Sequence, residues 1–133
     1  MLLPAIHEIS IVDVFDRGVP NKERILLKPT ETVNLGLFGL YLGRMMPNAM
    51  ILPQNDNYLW LGDRIVQPPS WIFIYTGRGQ FRETKMPLSN QPAYTYHWGK
   101  PITIFDDPQI VPFLMRYSGI AIGHPQAQQM LPE

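Results

Sequence analysis

The chain has 133 residues, with eleven basic and eleven acidic side chains, fourteen prolines and no cysteine. The missing cysteine excludes disulfides, thiolate catalysis and cysteine-based metal centres together, and a net charge of zero supplies no long-range field for nucleic acid or an anionic membrane. A chain of this length buries roughly two thirds of its unfolded surface, and prolines scattered along it punctuate short elements and disfavour long helices.

Residues 1–6 are apolar but meet His7 and Glu8 without a basic flank. No secretory leader is expected from them, no run reaches the ~20 apolar residues of a membrane helix, and a cytoplasmic location is expected. Residues 6–15 read as a first strand whose imperfect alternation implies a bulge or edge bend. A turn over 16–21 precedes a second strand over 23–28, whose charged ends mark where it leaves the core and which Pro29 closes.

Residues 32–43 change apolar parity, Val33, Leu35 and Leu37 on one phase and Phe38, Leu40 and Leu42 on the other, with Gly36 and Gly39 around the switch. This predicts one long strand that curves at the glycines. Residues 49–52 form a short strand stopped by Pro53, 54–57 a turn, 58–61 a strand, 62–63 a turn and 64–66 a further strand.

Trp71, Ile72, Phe73, Ile74 and Tyr75 are five consecutive β-branched or aromatic residues, the composition of a strand in the middle of a sheet and covered on both faces. Gly77-Arg78-Gly79 then predicts a hairpin with 80–85 as its return arm. Residues 93–98 and 102–105 read as strands. Asp106-Asp107-Pro108 is a turn or the start of at most one short helix near 107–112, with Asp107 as its cap. Residues 113–122 read as a last strand. The sum is an all-β chain of about eight to ten short strands, a β-sandwich or partly open barrel in a single domain over 1–123, with a flexible polar tail over 124–133.

No stretch carries a catalytic signature. His7, His97 and His124 have no metal-binding spacing, Asp56, Asp63, Asp106 and Asp107 occupy turns where aspartate is favoured for backbone reasons, and Gly77–Gly79 lacks the lysine and following helix of a phosphate loop. No cofactor or metal is therefore expected. The leading expectation is a non-catalytic binding or assembly module acting through a protein partner or self-association, motivated by zero net charge, Met45, Met46, Met50 and Met115, and abundant aromatics. Its candidate contact residues are Trp60, Arg78, Arg82, Tyr94, Tyr96 and Trp98. Two alternatives remain. One is a small enzyme or ligand pocket around His97, served by Tyr96 with Asp63 or Asp106. The other is a single-stranded nucleic-acid binder stacking bases on Tyr94, Tyr96 and Trp98 beside Arg78 and Arg82, disfavoured by the neutral charge.

Overall fold

The structure, a computed structural model, describes residues 4–48 and 50–125, with backbone only at residues 55 and 56. Among them the chain forms ten strands and one turn of 3-10 helix. The strands are β1 Ile9–Phe15, β2 Arg24–Pro29, β3 Val33–Asn34, β4 Phe38–Met45, β5 Ile51–Trp60, β6 Ile65–Val66, β7 Trp71–Tyr75, β8 Arg82–Lys85, β9 Pro92–His97 and β10 Ile110–Arg116, and the helical turn is Leu35–Leu37. The strands make a five-stranded sheet in the order β1-β2-β7-β9-β8, a three-stranded sheet β10-β4-β5 and a small pair β3-β6. This is the all-β architecture expected from the sequence. No helix among the described residues is long and apolar enough to cross a membrane.

The core lies between the sheets. Ile25 and Leu27 of β2 and Ile72 and Ile74 of β7 meet Phe38, Leu40 and Leu42 of β4, with Val33, Leu35, Val66 and Phe105 closing its ends. Alternation explains the selection, because on each strand every second side chain points to one face. β7 is central as predicted, between β2 and β9. Only its Ile72 and Ile74 row is fully buried, however. Trp71, Phe73 and Tyr75 are half-buried on the outer side, where Lys28 Nζ lies 3.9 Å from the Trp71 ring centre and Arg24 sits between the rings of Phe15 and Tyr75. Cations laid over rings keep that face wetted.

The bulge expected in β1 is present: the register with β2 skips between Ile11 and Asp13. Several local expectations are corrected. β7 does not turn back onto 80–85. It pairs in parallel with β9, and β8 joins the far side of β9 in antiparallel register. All four residues of β8 are exposed and polar or charged, so β8 has no apolar row with which to cover a central strand, whereas β9 supplies Ala93, Tyr94 and Tyr96. The long curved strand over 32–43 is instead β3, the 3-10 turn and β4. Asn34 Oδ1 accepts from the N–H groups of Gly36 and Arg64, so the parity switch comes from a capped helical turn and not from a bend at Gly39.

Pro53 does not stop β5, an edge strand that tolerates a missing donor, and 54–57 are extra residues absorbed where the β4–β5 register skips. The strand predicted over 102–105 is irregular chain. The short helix expected near 107–112 is absent: 107–109 form a turn, with the Asp107 carboxylate accepting from Gln109 N–H, and Pro112 lies within β10, which ends at Arg116 and not at residue 122.

A buried carboxylate ties three irregular segments to the sheet. Glu23, read as leaving the core, is only 1% exposed. Its Oε1 accepts from the N–H groups of Gly18 at 2.9 Å and Phe105 at 2.7 Å, and its Oε2 from the Thr76 hydroxyl at 2.7 Å and Ile104 N–H at 2.8 Å. Burial alone raises its pKa, but the donors from Ile104, Thr76, Gly18 and Phe105 outweigh it and hold the carboxyl below its ordinary value. Gly18 delivers its N–H from a left-handed backbone (φ 75°) and lies where a side chain would press within 3.0 Å of Asp106 Cβ, so glycine is required twice over.

Candidate functional site

The outer face of β10-β4-β5 is built from alternate residues of three strands. Across the sheet, Met115 and Trp60 flank Gly39, Phe113 and Tyr58 flank Tyr41, and Val111 and Pro53 flank Gly43. Ile51 and Met45 pair at the end of the same row. None of these positions carries a charge. Two glycines make the floor. A Cβ at Gly39 would lie 1.9 Å from the Tyr117 hydroxyl oxygen, and one at Gly43 would lie 2.3 Å from Ile51 Cγ2 and 3.0 Å from Phe113 Cε1. Larger side chains are thus laid flat over glycine backbone, the arrangement by which aromatics cover strand glycines.

The rings form one continuous layer. Tyr41 stacks on Phe113 at 5.3 Å and tilts against Tyr58 at 5.1 Å, and its hydroxyl meets that of Tyr117 at 3.0 Å. Burial pushes the Tyr117 phenol well above its ordinary range, and the neighbouring hydroxyls of Tyr41 and Tyr58 reinforce the shift. Trp60 is fixed by its indole N–H, which donates to the Gly36 carbonyl at 3.0 Å, and remains 49% exposed, with Tyr58 at 47%. The methionines singled out in the sequence, Met45, Met46, Met50 and Met115, are all exposed. Among the described residues no cation lies over the rings of this face, unlike the outer face of the five-stranded sheet.

No family model, curated protein or solved structure matches the chain. The site is therefore read from its own geometry.

Of the residues named from sequence, Trp60 lies on this face. The others belong to the five-stranded sheet and its connections. Tyr94, Tyr96 and Trp98 pack inward against the core, because β9 sets Tyr94 and Tyr96 beside Ile72 and Ile74 and Trp98 continues the same phase just past its end, its N–H donating to the Tyr75 carbonyl. Phe81 covers Tyr96 at 4.9 Å, and Arg64 lies 4.4 Å from the Phe81 ring centre and 3.6 Å from Glu83. Burial raises the Tyr96 phenol pKa, with Arg64 opposing. The three aromatics thus form no open stacking platform. Arg78 is exposed in the chain between β7 and β8, and Arg82 is exposed on β8.

His97 is half-buried, its ring stacked on Tyr75 at 5.4 Å and lying under Gly79, where a Cβ would come within 2.6 Å of three ring atoms. Its Nδ1 is buried without a hydrogen-bond partner, and burial together with the Arg82 charge lowers its pKa. Among the described residues no carboxylate bonds to it, and it lines neither the groove between β1 and β10 nor the cleft bounded by Leu42, Lys100 and Ile104. Among the described residues no three His, Cys, Asp or Glu side chains converge as a metal site.

The uncharged face was missed as a unit, although its signal was present: Gly39-Leu40-Tyr41-Leu42-Gly43 alternates small, large, small on one phase and Leu on the other. Glu23 offered no such signal, since a charge at a strand end ordinarily marks exit to solvent.

Proposed function

We propose that this chain is a non-catalytic assembly module that associates with a second copy of itself through the outer face of β10-β4-β5. The observation that carries the reading is the uncharged aromatic and aliphatic layer across all three strands, with Trp60 and Tyr58 half-exposed over glycine-floored backbone. Contiguous apolar surface of this kind marks an interaction site, and tryptophan and tyrosine anchors dominate interface energies. A second copy is favoured as partner because zero net charge removes the repulsion that would keep identical chains apart.

Size-exclusion chromatography with light scattering, from micromolar to near-millimolar protein, tests this. A concentration-dependent dimer is expected, and Trp60→Ala is expected to weaken it roughly 30-fold, the effect of removing a tryptophan anchor. A parent protein that stays monomeric throughout the range, or a dimer unmoved by Trp60→Ala, would overturn the reading.

A further inference from the structure

β1 and β10 lie side by side at the open seam between the two sheets without pairing to one another. Between them runs an apolar groove of about 650 Å³, lined by Ile6, Ile9, Ile11, Leu114 and Met115. The charges at its margin are already matched, because Arg116 pairs with Glu8. Tyr117 N–H donates to the Leu37 carbonyl, so the odd-numbered N–H groups at this end of β10 face β4. Alternation then turns those of Leu114 and Arg116 toward the groove, where Pro112 supplies none. The groove is a seam with an unpaired strand on either side.

The segment 118–125 that follows β10 has the complementary form. It is exposed throughout, makes no hydrogen bond among the described residues, and carries Ile120 and Ile122 at 86% and 70% exposure between Gly119 and Gly123. Two isoleucines two residues apart are the row an extended strand presents to an apolar groove. It bears no acidic or basic side chain before His124, as a groove with matched charges requires.

We infer that residues 118–125 of one copy lie as an added strand in the β1/β10 groove of a second copy, each chain receiving the other's segment. The inference rests on the self-association just proposed and names the element that closes it. Strand addition supplies main-chain hydrogen bonds along the unpaired edges while the two isoleucines fill the groove. An eight-residue strand so placed buries on the order of 500 Å² of itself and as much of the groove, so a reciprocal exchange reaches roughly 2,000 Å², the size of a stable dimer.

The absence of native cysteine makes the test direct. Ile122→Cys chains are mixed with Ile11→Cys chains and treated with a short bismaleimide, beside a control mixture of Ile122→Cys with Ile65→Cys, which is exposed on β6 away from the groove. Cross-linked heterodimer is expected to form roughly 100-fold faster in the first mixture, the ratio gained when association raises local thiol concentration from about 10 μM to the millimolar range. Equal rates in the two mixtures would overturn the inference. So would efficient cross-linking inside one chain of the Ile11→Cys/Ile122→Cys double variant without cross-linking between chains, since the segment would then fold onto its own groove. A dimer that persists in Ile120→Asp/Ile122→Asp but is lost in Trp60→Ala would sink the exchange and leave the face-mediated association standing.

Discussion

Replacing Glu23 by glutamine keeps the shape of the side chain and removes its charge, and so isolates what the buried carboxylate contributes. Four donors converge on it: three backbone N–H groups, which cannot reverse, and the Thr76 hydroxyl, which can. The glutamine amide settles with its NH₂ at the Oε2 position, where Thr76 rotates to accept and only the Ile104 N–H is stranded; the opposite orientation strands both Gly18 and Phe105. One stranded buried donor costs about 1–3 kcal/mol and the two remaining backbone bonds weaken by about 1 kcal/mol each, while relief of the buried charge's desolvation offsets part of this, so the substitution costs about 2–4 kcal/mol. That is a large share of the roughly 5–15 kcal/mol that stabilises a domain. Urea unfolding at neutral pH reads it as a midpoint lowered by about 1–2 M with an unchanged slope.

The pH dependence supplies an independent check. The folded pKa of Glu23 lies below its ordinary value of 4.5, so the stabilisation is present above that value and is lost as pH falls through the folded one. Parent and variant therefore converge on acidification. A variant within about 0.5 kcal/mol of the parent at neutral pH, the spread of inconsequential surface changes, would refute the argument that this carboxylate holds the three segments.

Gly43→Ala is expected to cost about 1–3 kcal/mol by forcing apart Ile51 and Phe113, and calorimetry on the variant checks it; an unchanged melting temperature would mean the face is not packed onto the glycine floor. His97 is expected to titrate below 6.5 by NMR, because its packed form is neutral; its contribution to stability is present above 6.5 and lost as pH falls through the lowered value. Arg82→Gln moves that midpoint upward, and a midpoint at or above 6.5 in the parent would contradict the packing described. Ultraviolet titration in alkali should show Tyr96 and Tyr117 ionising later than the other tyrosines, and Tyr117→Phe should reduce that late step by one tyrosine.

The legible part of the fold is the part in which short-range pattern and long-range pairing agree. β7 was recognisable because five β-branched or aromatic residues in a row have few other places to go. The β1 bulge was recognisable because Val12 breaks the alternation that resumes at Val14. The order of strands was not, since a turn sequence such as Gly77-Arg78-Gly79 reports that the chain reverses and not which strand it then joins. Glycine was ambiguous in the same way. Gly36 belongs to a capped helical turn, whereas Gly39 and Gly43 lie in strand β4 and make room for Tyr117, just past β10, for Phe113 of β10 and for Ile51 of β5. Nor can composition separate an inward aromatic from an outward one: Tyr94, Tyr96 and Trp98 share their residue types with Tyr58 and Trp60, and only the register of β9 against β7 turns the first three toward the core.

The sheet margins bear on the kind of assembly these faces make. Three of the four outer strands of the two larger sheets carry features that resist open-ended pairing: β8 is charged or polar at every position, β5 contains Pro53 and the skipped register beyond it, and Pro112 removes a groove-facing donor from β10. The fourth, β1, is interrupted by its bulge at Val12. Pairing along any one of them is therefore short, which disfavours the endless edge-to-edge stacking that an uncharged chain rich in β-formers otherwise invites. The outer face of β10-β4-β5 depends less on these margins, because its side chains, not its strand edges, make the surface, and Met115, Trp60, Phe113, Tyr41, Tyr58 and Val111 lie on it beside the two glycines. The proposed face-to-face packing with a limited strand exchange at the seam is self-complementary and closes after two copies, so it requires a dimer of fixed size and is contradicted by a growing filament.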